Sequence, residues 1–392
     1  MTRAGATRPL AAALLAAGLA AAAAAAGPSG PALKVVAKDL NNPRKLFVAG
    51  DGAVYVVEAG VGGRDRCLGT GPRRVCVGLS GAISRIAGGA TTRVVTGLWS
   101  GARPDRHEAQ GPADVLVRGG RYFVLLQDAS IDRRGFNALG PDGATAGDLI
   151  STPPGRAAPA VIFNFAAFEA ARNPDRGAGP GAKLGNPPID SDPYAFTAYR
   201  GGFAVVDAAG NDLLWVKSDG EVSVLAVFPV QRVPLTPAVR RRIGVPASLR
   251  SIAVQSVPTC VAVGPDGALY VGELTGVPFA RGTARVWRVA PGEPPAVYAS
   301  GFTNIADLAF AGKNLLVLEL AARGLLDRSS RGALVRVAPG GARAVVVDRG
   351  LVHPTGLAVG NGSVYVSNYG FSPGTGPGPH GQVVSLPLSA VS

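Results

Sequence analysis

The stretch VPTCVAVGPDGALYVGE, residues 257–273, decides the fold, because it is one copy of a unit that recurs along the chain. The unit is an apolar strand led by proline, a tight glycine turn, and a second strand that ends on Tyr-Val, one further residue and a polar residue. Similar copies are NPRKLFVAGDGAVYVVE at 42–58 and HPTGLAVGNGSVYVSN at 353–368, and weaker ones start near Gly111, Asp192 and Asn304. Such internal self-similarity is the signature of a repeat architecture.

Most copies are followed by two further segments that have the composition of β-strands. They are rich in β-branched and aromatic residues and are bounded by Gly and Pro. Third strands are predicted at 81–86, 212–217, 284–289 and 332–337, and fourth strands at 93–95, 160–163, 222–228, 296–298 and 344–347. The sixth unit ends after its third strand, 382–388, and segment 33–37 can supply the missing fourth. The sequence therefore predicts an all-β, six-bladed β-propeller closed by its N-terminal strand, an arrangement that protects the sheet edges.

The first 26 residues have the pattern of an export signal. Arg3 and Arg8 precede an apolar run that ends in three alanines before Gly27, as in a secretory signal peptide. The alternative is an uncleaved N-terminal anchor. No second long apolar segment follows, so we predict a propeller domain over 27–392 without a transmembrane segment, monomeric and secreted or held in the cell envelope.

The chain is basic, with a formal net charge of +13. In an exported protein this charge favours attraction to an anionic envelope component or an acidic small molecule, although GC-rich coding would also enrich arginine. No basic run is interleaved with aromatic residues, so nucleic-acid binding is not predicted. The most basic loop contains Arg232, Arg240, Arg241, Arg242 and Arg250; it is either an anion-binding loop or a solvated one.

Two of the three cysteines bracket a short loop of Gly, Pro and Arg. In an exported protein the spacing of Cys67 and Cys76 predicts a local disulfide, with two free thiols as the alternative. Cys260 lies within an apolar strand and is predicted to be a small buried side chain rather than a nucleophile.

The predicted connections differ between the two faces of the disc. The turns between first and second, and between third and fourth, strands are short and glycine-rich. The long insertions all fall on the other face, at 61–79, 98–110, 129–147, 166–190, 229–255, 321–330 and 370–380. Loops grafted on one side of a rigid scaffold commonly carry binding function. Asn164 and Thr236-Pro237 predict the starts of short helices within these insertions.

Polar residues recur at the end of the second strand of five units. They are Glu58, Asp207, Glu273, Glu319 and Asn368, with Leu126 at the same position of the second unit. One interpretation is a ring of carboxylates that binds a cation or acts in general acid–base chemistry at the loop-rich face. The other is structural, with each acid accepting backbone N–H bonds from the turn that follows.

A second set of candidates lies at the start of the first strands, nearest the predicted channel. Asp114 and Asp307 occupy this position in the second and fifth units, and Asp192, Asn304 and His353 flank the opening. Gluconolactonase-like propellers carry Glu, Asn and Asp metal ligands at such positions. Because two carboxylates on opposite sides of the ring do not make that set, we predict neither a metal nor a cofactor.

Extended segments resemble the ScyD/ScyE family of exported bacterial proteins, and the turn DAAGND at 207–212 is similar to that of the NHL repeat. The matching segments include FEAARNP at 168–174, DSDPY at 190–194, LTGVPF at 274–279, ARVWRV at 284–289 and GFTNI at 301–305. The resemblance implies an exported six-bladed propeller with no generally established reaction.

These observations support two hypotheses about function. The first is an exported binding or scaffold protein that uses the loop-rich face and the channel mouth. The second is an extracytoplasmic enzyme, of hydrolase or oxidation type, that acts on a small molecule at the same mouth. The sequence contains no His-Glu-x-x-His or phosphate-binding lysine motif, which favours the binding hypothesis.

Overall fold

In the computed structural model the repeat units form six antiparallel sheets arranged as the blades of a β-propeller. The structure describes residues 30–64, 66–71, 74–104, 109–128, 139–177, 189–371 and 380–392. Residues 31–392 belong to one compact unit, and the predicted signal segment 1–26 lies outside the described residues.

The first three blades are built as follows. Strand β1 (Lys34–Leu40) comes first, and blade 1 then contains β2 (Pro43–Val48), β3 (Val54–Glu58), β4 (Arg66–Leu68), β5 (Val75–Ala87) and β6 (Ala90–Ala102). Blade 2 contains β7 (Pro112–Arg118), β8 (Arg121–Leu126), β9 (Asp148–Thr152) and, after the short β10 (Gly155–Arg156) that pairs with β6, β11 (Ala160–Asn164). Blade 3 contains β12 (Pro193–Tyr199), β13 (Gly202–Asp207), β14 (Asp212–Val216) and β15 (Val222–Val227).

The second half of the chain completes the ring. A separate pair, β16 (Gln231–Pro234) and β17 (Ser251–Val254), stands between blades 3 and 4 in the chain. Blade 4 contains β18 (Pro258–Val263), β19 (Leu269–Glu273), β20 (Ala284–Val289) and β21 (Ala296–Phe302), and blade 5 contains β22 (Ile305–Ala311), β23 (Asn314–Glu319), β24 (Ala333–Val337) and β25 (Arg343–Val347). Blade 6 contains β26 (Gly356–Gly360), β27 (Ser363–Asn368), β28 (Gly381–Pro387) and β1.

The predicted closure is confirmed, because β1 pairs antiparallel with β28 and supplies the outer strand of blade 6. The innermost strands β2, β7, β12, β18, β22 and β26 are neighbours in a closed succession. The first and last strands are thus held in one sheet.

The core lies between the blades, and β23 illustrates why its sequence is a continuous apolar run. Leu315 and Val317 pack toward blade 4, whereas Leu316 and Leu318 pack toward blade 6. Successive side chains of a strand point to opposite faces, so a strand buried on both faces must be apolar at every position. Comparable clusters fill the other blade interfaces.

Both predicted helices begin where the sequence indicated. The Asn164 side chain accepts a hydrogen bond from Ala167 N at the start of α1 (Phe165–Arg172). Thr236 caps α2 (Pro237–Ile243) through Val239 N, with proline in the first turn. Short 3-10 turns lie at Pro141–Gly143 and Leu388–Val391.

The predicted insertions 61–79 and 98–110 were wrong in part, because β5 and β6 extend into both. The extension is stabilised by a small apolar cluster in which Val77 and Trp99 pack against Leu139 and Ala146. The predicted disulfide is confirmed: Cys67 and Cys76 are bonded and sit opposite each other in the β4–β5 pair.

Strand β9, the third strand of blade 2, was not predicted. Its sequence, DLIST, is short and polar at both ends, and it directly follows the predicted insertion 129–147. All five of its residues are nonetheless buried.

Candidate functional site

The long connections and the first residues of the inner strands enclose a cavity of about 1070 Å³. Every blade, or a connection leaving it, contributes to the wall. Representative lining residues are Arg103 after blade 1, Gln127 in blade 2, Tyr194 in blade 3, Thr259 in blade 4, Leu325 in blade 5 and Phe371 in blade 6. The cavity therefore lies at the channel mouth, on the face where the sequence placed the long insertions.

Two of the predicted site residues, Asp192 and His353, line this cavity. Asp192 directly precedes β12, and His353 lies three residues before β26. His353 is half-buried and has a left-handed backbone, with φ of 43°.

Asp192 is bonded to the backbone of a second acidic residue that the sequence did not single out, Asp128. The backbone N–H of Asp128 donates to Asp192 Oδ1 at 3.2 Å. Burial raises the pKa of Asp128 to about 6. Burial, followed by the charges of Asp128 and Asp207, raises the pKa of Asp192 well above its ordinary value. Perturbed carboxyl groups in a cavity wall are typical of functional sites.

Asp190 is a further acidic residue close to Asp192 in the chain. Burial, together with the charges of Asp207 and Asp128, raises the pKa of Asp190 to about 6. Among the residues that the structure describes, no Lys or Arg forms an ion pair with the carboxylates of Asp128, Asp190, Asp192 or Asp207. Within the described ranges these acids thus lack a basic partner, although the protein as a whole is strongly basic.

Gln127 lies in the cavity wall and follows β8 directly. Its side chain is 4% exposed, and its Oε1 atom has no hydrogen-bond partner within the described part of the chain. A buried polar atom without a partner is costly, by about 1–3 kcal/mol. The atom is therefore a candidate acceptor for a ligand's N–H or O–H group.

The cavity wall divides into two chemically different sectors. Blades 2 and 3 contribute the polar sector, with Gln127, Asp192 and Tyr194. Blades 4 and 5 contribute a mainly apolar sector, lined by Val257, Leu274, Phe279, Leu320, Ala321 and Leu325, with Thr259, Asp327 and Arg328 as its polar members. Binding pockets commonly combine an apolar wall with a few placed polar groups.

The predicted channel residues Asp114 and Asp307 are buried and connect adjacent inner strands. Asp114 Oδ2 accepts from Phe196 N of blade 3 at 2.9 Å, and Asp307 Oδ2 accepts from Leu357 N of blade 6 at 2.7 Å. Lys45 reaches Asp307, with Nζ at 2.9 Å from Oδ1. Burial raises the pKa of Asp114 to about 7. Neither carboxyl group is among the described residues that line the cavity.

Hydroxyl groups make equivalent connections at two other blade interfaces. Thr259 Oγ1 donates to Ile305 O, and Thr355 Oγ1 donates to Pro43 O, each at 2.7 Å. The polar residues at the start of the inner strands therefore hold the ring together, whichever residue type a blade uses.

The polar residues at the ends of the second strands are all buried, and each binds the connection that leads into its own blade. The acceptors and donors are Glu58 with Asn41 N at 2.8 Å, Asp207 with Asp192 N at 2.8 Å, Glu273 with Ser256 Oγ at 2.6 Å, Glu319 with Thr303 N at 2.7 Å and Asn368 with Val352 N at 2.7 Å. Asp207 additionally accepts from Ala209 N and Gly210 N of the following turn, as the structural interpretation required.

Two of these acids are neutralised inside their own blade. Glu58 accepts from Arg93 Nε at 2.9 Å and Nη2 at 2.7 Å, and Glu273 accepts from Arg285 and from Trp287 Nε1. A ligand-binding role for the five residues stays a prediction. Their existing partners are those of blade-stabilising residues.

Asn304 also has a structural environment. It is fully buried with φ of 49°, donates to Leu274 O at 2.9 Å and accepts from Leu325 N at 3.1 Å. It thereby fixes two connections that carry the apolar sector of the cavity. Val257, at the equivalent position of blade 4, adopts φ of 54°, which is unusual for a β-branched residue.

Four of the five arginines in the arginine-rich loop are exposed. Arg232, Arg241, Arg242 and Arg250 are exposed, whereas Arg240 is buried and donates to Leu235 O at 2.7 Å. Anion binding by this surface stays a prediction. Burial raises the pKa of the Cys260 thiol to about 12, consistent with a small packed side chain.

Two negative findings concern the described residues alone. They contain no group of three His, Cys, Asp or Glu side chains placed to hold a metal ion. None of their helices combines the length and apolar composition required to span a bilayer.

Comparison with known proteins shows similarity in fold at low sequence identity. Virginiamycin B lyase from Staphylococcus aureus shares 12% identity over 91% of this chain and 99% of that chain, with a TM-score of 0.46. PQQ-bound aldose sugar dehydrogenase from Streptomyces coelicolor shares 13% identity over 92% and 99%, with a TM-score of 0.47. The calcium-binding protein regucalcin from Agrobacterium tumefaciens shares 11% over 91% and 93%, with a TM-score of 0.48. No protein-family model and no curated protein matches the sequence.

Proposed function

We propose that the protein binds a small molecule in the cavity at the channel mouth. The observation that carries the proposal is the cavity itself, about 1070 Å³ in volume and lined from all six blades. This volume is at the upper end of that of pockets for small ligands. A rigid ring below and a one-sided set of connections above give the pre-formed geometry that such binding needs.

An extracytoplasmic location is part of the proposal. The Cys67–Cys76 disulfide is compatible with an oxidising compartment. The predicted signal at 1–26 and the resemblance to the ScyD/ScyE family support export in the same direction.

Binding is tested by screening a chemically diverse fragment library by ligand-observed NMR. The variant Leu325→Trp places a larger ring in the cavity wall, whereas Leu249→Trp, at an exposed position of the arginine-rich loop, serves as the matched control. We expect saturable ligands for the parent protein and the control, and loss of binding in Leu325→Trp. Ligands that bind all three proteins equally would refute the proposal.

A second candidate function is catalysis of proton transfer by Asp192 and Asp128. It is favoured by the raised pKa values of Asp192, which lines the cavity, and of Asp128, whose backbone N–H bonds to Asp192, because a general acid works best with a pKa near the operating pH. Incubating each identified ligand with the parent protein and Asp192→Asn tests it. Conversion that is lost in the variant supports an enzyme, and an unchanged ligand with the parent protein contradicts it.

A further inference from the structure

The acidic sector of the cavity is unusual because its buried carboxyl groups lack an ion pair within the described part of the chain. Asp128, Asp190 and Asp192 have no ion-pair partner in the described ranges. Asp207, which lies behind them, accepts from Ser191 Oγ and from backbone N–H groups. Uncompensated buried carboxylates are expensive, so a cation at this wall would remove a cost already present in the free protein.

A second, independent observation points to the same wall. Gln127, 4% exposed, presents an Oε1 atom that has no partner among the described residues, and it directly precedes Asp128 in the chain. A group that donates several N–H bonds would satisfy the amide oxygen and the carboxylates together.

The opposite sector favours an organic ligand over a bare ion. Phe279, Leu320 and Leu325 line the cavity from blades 4 and 5, and Phe371 contributes an aromatic ring from blade 6. An inorganic ion would leave this apolar surface in contact with water, whereas an organic cation would bury it.

From these contacts we infer that the cavity selects an amphipathic organic ammonium compound, with its N–H groups toward Gln127, Asp128 and Asp192 and its apolar or aromatic part toward Phe279 and Leu325. The inference rests on the proposed binding function and specifies its ligand class.

The positive charges near the cavity do not oppose this assignment. Arg103 and Arg328 lie on the wall but are exposed, where solvent and salt screen their repulsion. Arg44 is buried and has its guanidinium bonded to the carbonyl oxygens of Ala109 and Gly370. Burial raises the pKa of Asp128, and burial together with the charges of Asp128 and Asp207 raises the pKa of Asp192, as expected of carboxyl groups that lack a cation.

The test compares probes that share one aromatic body and differ in their polar end. Binding of 2-phenylethylammonium, 2-phenylethanol and 3-phenylpropionate, and of calcium chloride, is measured by isothermal titration calorimetry at pH 8. We expect the ammonium compound to bind at least tenfold more tightly than the alcohol, and the carboxylate to bind most weakly.

Variants locate the charge recognition. Asp192→Asn should weaken ammonium binding at least tenfold while changing alcohol binding less than twofold, and Gln127→Glu should tighten ammonium binding. Asp128→Asn is a conservative second variant, because Asn tolerates the left-handed backbone at φ of 56°. Asp219→Asn, an exposed acid in a turn on the opposite face, is the matched control and should change nothing.

The outcomes separate the two proposals. Binding of the alcohol or the carboxylate that equals or exceeds that of the ammonium compound, and that is lost in Leu325→Trp, overturns the ligand class and leaves the binding function standing. Calcium binding that depends on Asp192 and displaces the ammonium compound also overturns it, in favour of a metal. Failure of every probe to bind counts against both proposals.

Discussion

Removing the buried charge of Lys45 should destabilise the whole ring, because its partner lies four blades further along the chain. Lys45 Nζ stands 2.9 Å from Asp307 Oδ1 and 2.5 Å from Ala306 O, and the two charged side chains are only 4% and 10% exposed. Burial disfavours the ammonium charge, but Asp307, with smaller contributions from Cys260 and Tyr194, outweighs it, so the pKa of Lys45 lies above its ordinary value.

The size of the effect follows from this geometry. At 2.9 Å and an effective dielectric constant of about 20, the attraction between the two charges is about 6 kcal/mol. Desolvation offsets much of that in the intact pair, but removing one partner leaves a buried charge alone and costs about 3–5 kcal/mol. Asp307 keeps its bonds from Leu308 N and Leu357 N, so we expect Lys45→Met to lie near the lower end of that range.

Guanidinium unfolding at pH 7, followed by tryptophan fluorescence and circular dichroism, measures the loss. The control is Lys217→Met, which removes a solvent-exposed pair with Glu221 and should cost less than about 1 kcal/mol. The double variant Lys45→Met/Asp307→Asn should be more stable than the sum of its two single changes predicts. A loss below about 1 kcal/mol for Lys45→Met, or strict additivity in the double variant, would refute the reasoning.

The same measurement tests three further features. Glu169→Gln should stabilise the protein more at pH 8 than at pH 5. Burial and neighbouring acids raise the pKa of Glu169 to about 8. The parent protein therefore loses stability as the pH rises from the unfolded-state pKa of this group towards 8. Opening the Cys67–Cys76 bridge with reductant should lower the free energy of unfolding by about 2–3 kcal/mol, because the closed loop is short; a Cys67→Ser/Cys76→Ser variant should be insensitive to reductant. Asn164→Ala should cost about 1 kcal/mol, since its side chain accepts from Ala167 N at the start of α1, and an unchanged denaturation midpoint would contradict that role.

The fold was predictable because the decisive pattern is local and repeated. Each copy carries its own proline, turn glycine and apolar strands, and β23 shows that a run such as Leu315–Leu318 has one arrangement that buries every side chain, between two neighbouring blades. Helix α1 was predictable for the same reason, since its cap and first turn are contiguous in sequence.

The extension of blade 1 was not predictable from its own residues. Segments 75–80 and 98–102 each contain a glycine and show no clear alternation. Gly78 illustrates the reason for one of them: a Cβ atom at this position would lie 2.7 Å from the Cα atom of Gly63. The close approach of two backbones demands glycine here, yet glycine in the sequence reads as a loop signal.

The candidate site was predicted in its location but only in part in its residues. Asp192 and His353 line the cavity as their spacing suggested. Asp128 and Gln127 were missed because they follow Leu126, the position where the second unit lacks the polar residue that the other units carry. Their significance depends on the approach of blade 3, which the sequence of blade 2 does not encode. One signal was present in the sequence. The second unit departs from the repeat pattern at Leu126, and Gln127, the next residue, lines the cavity.

The distribution of charge is difficult to explain by the requirements of the scaffold alone. Asn368 does in blade 6 what Asp207 and Glu319 do in blades 3 and 5, accepting a backbone N–H from the connection before the first strand, and it does so without a buried charge. A neutral amide therefore suffices for closing a blade. Glu58 and Glu273 carry a charge but meet an arginine within their own sheets. The acids beside the cavity have neither solution, and their pKa values are raised by burial and by one another. A local loss of stability in an otherwise well-satisfied fold is characteristic of functional sites. The group of Asp128, Asp190 and Asp192 beside the cavity is therefore the part of the ring where a ligand should be sought first.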